Sequence, residues 1–106
     1  MITLRLVEPT DLDLLAIWNK QLIEDERHDN LMGVPELKER MQGFLQTGYR
    51  AYLFEDGREP VGYALVNLTK DPLYLRQFFI ARKHRRHGYG RVAFFSVAGD
   101  SPNNDD

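Results

Sequence analysis

The sixteen residues from Arg76 to Arg91 constrain this chain more than any other stretch. An apolar run, Phe78-Phe79-Ile80, reads as the end of a strand. A basic loop follows, then Gly88-Tyr89-Gly90, then the apolar start of a helix at Val92, Ala93 and Phe94. A strand that feeds a helix through such a loop builds a pocket for an anion. The glycines let the backbone approach closely, N–H groups converge, the helix presents its positive end, and arginines add full charges. A phosphate-bearing ligand is the simplest guest.

The charge distribution points the same way. Net charge is −2, yet residues 76–91 hold six Lys/Arg and no acid, leaving eight basic residues elsewhere against all sixteen acids. One positive patch on an otherwise acidic chain favours a compact polyanion over a nucleic acid, which the remainder would repel. No nucleic-acid-binding motif is present. At 106 residues the chain is expected to form one domain. Its 42% hydrophobic and 28% charged residues suit a soluble globular protein. No run is long enough to span a membrane and the start lacks a signal-peptide pattern, so a cytoplasmic address is expected. Without cysteine there is no disulfide, thiolate metal site or Cys nucleophile. His28, His84 and His87 lack metal spacing with a carboxylate, so no metal is expected. His28 reads as solvated, the other two as neighbours of the phosphate loop.

Along the chain, Ile2 to Val7 reads as a strand with Ile2, Leu4 and Leu6 on one face. Thr10, with Asp13 three residues on, is the expected cap of a helix. That helix carries a core-facing stripe of Leu12, Leu15, Ala16, Asn19, Leu22 and Ile23, flanked by Trp18. The polar run Glu24 to Asn30 ends it and reads as a solvated face. A second helix opens at Pro35-Glu36, packs Leu37, Met41, Phe44 and Leu45, and stops at Gly48. Tyr49 to Phe54 and Val61 to Leu68 are strands joined by a loop containing Asp56-Gly57, a strong hairpin signal. Lys70-Asp71-Pro72 turns the chain into the central strand, Tyr74 to Ile80. Residues 99–106, acidic with Pro and Asn, read as a disordered tail.

Gly88-x-Gly90-x-x-Ala93 meets the glycine pattern of a dinucleotide-binding turn, but the acidic residue expected about 20 positions on has no room before Asp106. The Gly-Lys-Ser/Thr of a Walker loop is absent. Arg85-Arg86-His87-Gly88-Tyr89-Gly90, with the strand Leu75 to Ile80 before it, instead resembles the coenzyme A motif Arg/Gln-x-x-Gly-x-Gly/Ala of the GNAT (Gcn5-related N-acetyltransferase) family. The resemblance runs from Met1 to about Phe95, because the order strand, helix, helix, three strands, loop, helix fits too, as does Gly62 at the start of its strand.

This resemblance implies an α+β fold, the acyl-CoA N-acyltransferase fold, with a mixed, mostly antiparallel sheet flanked by helices. Residues 1–98 would be the N-terminal portion of such a domain, lacking the C-terminal strands and helix. It implies acetyl transfer from acetyl-CoA to a primary amine of a small molecule or protein; the alternative is a non-catalytic module that binds acyl-CoA or a partner protein. Main-chain amides from Arg86 through His87, Gly88, Tyr89 and Gly90 to Arg91 would hold the diphosphate. Arg85 opens the motif, and Arg86 or Arg91 would neutralise phosphates. Phe79, Ile80 and Ala81 would offer main-chain groups to the pantetheine arm and to the thioester oxygen. The family usually has proline where Arg82 stands.

Family members often place a carboxylate or histidine on the central strand at the positions of Tyr74 and Arg76, which are therefore the catalytic candidates. Arg76 suits a clamp on an acceptor carboxylate better than a base. The polar connection after the first helix would line the acceptor site. With no further strand beside it, residues 75–80 would present an apolar edge, which implies a homodimer through that edge.

Overall fold

The computed structural model describes residues 2–27, 29–70 and 74–100. Its elements are β1 (Ile2–Leu6), α1 (Leu12–Asp25), α2 (Val34–Leu45), β2 (Tyr49–Asp56), β3 (Glu59–Asn67), β4 (Tyr74–Ile80) and α3 (Tyr89–Asp100). Single 3-10 turns lie at Pro9–Asp11 and Arg82–His84. The four strands form one sheet in the order β1-β2-β3-β4, antiparallel throughout. It is thus an α+β fold, and no mixed pairing occurs among the described residues. No helix there is long and apolar enough to cross a membrane.

The two inner strands are buried on both faces, which is why they read as continuous apolar runs. Ala51, Leu53, Tyr63 and Leu65 face α1 and pack with Leu12, Leu15, Trp18 and Phe79. Tyr52, Phe54, Val61, Ala64 and Val66 face the other way and pack with Ala93 and Val97 of α3. Trp18 lies parallel to the ring of Tyr63, centroids 6.3 Å apart, so it is part of the core stripe and does not merely flank it. Gly62 lets β4 come close: a Cβ there would collide with the Phe79 carbonyl oxygen.

Several local expectations need correcting. Leu6 is 56% exposed, so β1 does not bury three residues on one face. Thr10 does not cap α1. Asp11 organises that turn instead: its carboxylate accepts from the Glu8 N–H at 2.7 Å and from both terminal nitrogens of Arg5, at 2.8 and 3.0 Å. The hairpin strands extend further than their apolar runs, pairing Asp56 with Glu59 and leaving only Gly57 (φ 66°) and Arg58 in the turn. Ladder hydrogen bonds need no apolar side chain, so polar residues join at the ends. Helix α3 runs to Asp100, taking in two residues of the expected tail. Residues 101–106, His28 and positions 71–73, on which the expected Lys70-Asp71-Pro72 turn partly falls, lie outside the described residues.

One irregularity positions the site. Leu65 pairs with Gln77 but Val66 pairs with Leu75, so Arg76 is an extra residue on β4. Such a bulge re-aims side chains. Leu75 packs towards α3, whereas Arg76 and Gln77 both face a cleft on the α1 side.

Candidate functional site: two clefts along the central strand

Two clefts share Leu22 of α1 and divide β4 between them. The first, about 350 Å³, runs past Phe78, Phe79 and Ile80 to Arg85, Arg86 and Gly90. The second, about 360 Å³, is lined by Asn19, Glu26, Arg40, Tyr74, Arg76 and Gln77.

At the end of the first cleft the chain turns sharply into α3. Arg86 and Gly88 have φ of 68° and 78°, and the first helical turn closes when the Val92 N–H reaches the Gly88 carbonyl at 3.4 Å. The N–H groups of Arg86, His87, Gly88, Tyr89 and Gly90 have no acceptor among the described residues. They are the orphan donors that a helix start leaves, gathered at its positive end. A Cβ on Gly88 would meet nothing within 4 Å; glycine serves that position through its φ. Arg86 is exposed and makes no ion pair among the described residues, so its charge is available at the mouth. Arg91 is exposed on the first turn of α3.

The other motif residues act differently from one another. Arg85 donates from Nε to the Ile80 carbonyl at 2.8 Å and from a terminal nitrogen to Asp25 at 2.7 Å, with its guanidinium 5.0 Å from the Phe79 ring. It braces the loop against α1. Arg82 reaches the other Asp25 oxygen at 3.0 Å, and Arg85 beside it holds the Asp25 carboxyl below its usual range. Asp25 lies in the run expected to be solvated and is instead the anchor of the loop; its spacing from Leu22 on α1 is the available clue. Tyr89 donates to Asp56 at 2.5 Å and His87 stacks on its ring at 5.7 Å, so both side chains shape the turn. His84 is half-buried, its Nε2 3.3 Å from a Glu59 oxygen but not aligned for a hydrogen bond.

Just after β4, the Ala81 N–H donates to the Val61 carbonyl and its carbonyl accepts from the His84 N–H, both at 2.8 Å. The Ala81 N–H is therefore committed, and its carbonyl already accepts one bond. Antiparallel alternation then turns the main-chain groups of Phe79 towards β3 and those of Ile80 towards the open edge. Of the three residues expected to meet a pantetheine arm, Ile80 has the matching orientation, although Arg85 already occupies its carbonyl.

In the second cleft, Tyr74 is 53% exposed and Arg76 lies with its guanidinium 4.7 Å from the Phe44 ring centroid. Gln77 is buried and accepts from the Tyr63 hydroxyl at 2.6 Å. Burial pushes the pKa of that hydroxyl up, so it remains a donor. Glu26, from the polar connection expected to line the acceptor site, lines this cleft, as does Arg40, which the sequence did not single out. Arg40 sits four residues before Phe44 on the apolar side of α2, which is the signal that marks it. No group of three or more metal-ligating side chains occurs among the described residues.

Residues 13–97 match the acetyltransferase (GNAT) family, and the chain belongs to it. Solved structures share the fold. A "possible acetyltransferase" from Clostridium difficile 630 superposes with a TM-score of 0.79 at 17% identity, over 93% of this chain and 70% of that one. An acetyltransferase from Thermus thermophilus gives 0.76 at 25% identity, over 94% and 69%. A "predicted acetyltransferase" from Clostridium acetobutylicum, solved with acetyl-CoA, gives 0.73 at 14% identity, over 97% and 75%. No curated protein matches in sequence.

Proposed function

We propose that this protein transfers an acetyl group from acetyl-CoA to a primary amine. The observation that carries the reading is the row of five N–H groups without acceptors, Arg86 to Gly90, at the start of α3. Such a row suits a diphosphate, whose oxygens accept from several donors at once. Arg86 adds a full charge, and the glycine at position 88 supplies the φ the turn requires. Backbone of the Ile80 end of β4 would run beside the pantetheine arm. Bound there, acetyl-CoA supplies an activated thioester next to the second cleft.

The chain's own groups then orient the acceptor and move its proton. The second cleft receives the amine. Gln77, held by Tyr63, presents a polar side chain on its wall. Glu26 is the carboxylate on that wall among the described residues, and it would take the ammonium proton directly or through water. Tyr74 and Arg76 would contact the acceptor without serving as its base. Among the described residues β4 is an edge strand, which further supports a homodimer through residues 75–80.

The test combines binding and turnover. Acetyl-CoA should bind by calorimetry, and free thiol should appear when a primary amine is added. Binding without thiol release for any amine would favour a non-catalytic acyl-CoA module instead.

A further inference from the structure

We infer that the second cleft accepts an amine that also carries a carboxylate, with Arg40 and Arg76 holding the carboxylate. The inference rests on the acetyl-transfer reading and adds the class of acceptor. Two guanidinium groups converge on one ring, Arg76 at 4.7 Å and Arg40 at 5.5 Å from the centroid of Phe44. Arg5, Arg82, Arg85, Lys38 and Lys83 all have carboxylate partners within 4 Å. Arg40 and Arg76 have none among the described residues, although the chain has more acids than bases.

Leaving Arg40 unpaired is costly. Arg40 has a buried Nε with no hydrogen-bond partner, and a terminal nitrogen reaches only the Asn19 side-chain oxygen at 3.3 Å. Burial, then the neighbouring Arg76, both disfavour its charged form. A half-buried charge beside a like charge and without a counter-ion opposes folding. An arriving carboxylate would relieve both the repulsion and the missing acceptors, and a guanidinium fork is the group that suits it. Both guanidinium groups lie within cation–π range of the Phe44 ring, which helps to hold them in place.

The remainder of the cleft fits a small zwitterion. Its volume of about 360 Å³ suits a small metabolite. Glu26 on the same wall offers the opposite charge to an ammonium, and the shared Leu22 joins the cleft to the thioester end of β4. A polyamine, all cation, would meet two arginines and a single acid.

The test titrates α-amino acids, their carboxamides, spermidine and phosphoethanolamine into the protein, alone and with coenzyme A. At least one amino acid should bind about tenfold or more tightly than its carboxamide, as expected for a charge-assisted hydrogen bond. Arg76→Gln, at an exposed position, should erase that preference and leave coenzyme A affinity unchanged; Arg40→Gln should do the same. Equal or tighter binding of the carboxamides, a preference for spermidine or phosphoethanolamine, no binding of any amino acid, or a preference that survives Arg76→Gln would each overturn the inference. Loss of coenzyme A binding beside intact amino-acid selectivity would instead count against the acetyl-transfer reading alone.

Discussion

Asp25, the last residue of α1, accepts a hydrogen bond from Arg85 at 2.7 Å on one oxygen and from Arg82 at 3.0 Å on the other. One carboxylate thereby ties the end of a helix to the loop that leads to the N–H groups without acceptors. The pair is partly exposed, so its contribution to stability is small, under about 1 kcal/mol after solvent screening. Its sign with pH is definite. The folded carboxyl titrates below its ordinary value of 3.8, so its contribution is complete above that value and lost as pH falls through the lower folded one. Wild type should therefore melt above Asp25→Asn at pH 7, with the gap closing as pH falls below the ordinary carboxylate range. A gap that persists in acid would exclude the ion pair as its source.

The Tyr63–Gln77 hydrogen bond, 2.6 Å and buried, holds the floor of the second cleft. Tyr63→Phe strands the Gln77 oxygen and should cost roughly 1–3 kcal/mol, lowering the melting temperature by roughly 5–15 °C. Adding Gln77→Leu should restore most of that loss, because both partners are then apolar. If the double variant is as unstable as the single one, the hydrogen bond is not what Tyr63 contributes.

Gly62→Ala places a methyl group against the Phe79 carbonyl oxygen, backbone that cannot step aside. We expect about 2 kcal/mol of destabilisation and faster amide exchange along Phe78 to Ile80. Unchanged exchange there would show that β4 approaches β3 less closely than described.

Gly88→Ala behaves differently. No atom lies within 4 Å of the new methyl group, so the penalty is only the left-handed backbone, roughly 1 kcal/mol. The chain should stay folded while coenzyme A affinity falls by about tenfold or more, since relaxing φ turns the N–H row away. Wild-type affinity in this variant would remove the turn from the binding site.

The order of elements and the glycine turn into α3 were legible because periodicity and glycine placement are local. Phe78 to Ile80 and Gly88-Tyr89-Gly90 carry their meaning in adjacent residues. Asp25, Arg40 and the Tyr63–Gln77 pair were not legible, since each acts through a partner distant in sequence. The Asp25–Arg85 contact spans 60 residues and the Arg40–Asn19 contact 21. A charged run looks the same whether it is solvated or anchors a loop. The Arg76 bulge is also invisible locally, because it follows from register across β3 rather than from β4 itself. Thr10 failed for the opposite reason: a good capping residue lost to its neighbour Asp11, which Arg5 reinforces from β1 six residues away.

The central claim is that main-chain donors from Arg86 to Gly90 clasp the diphosphate of coenzyme A. Amide NMR spectra recorded during a coenzyme A titration test it most directly. The amide protons of these five residues should move downfield together and saturate with the calorimetric affinity, whereas pantetheine, which lacks the diphosphate, should leave them in place. Binding that shifts other residues and leaves these five still would contradict the account.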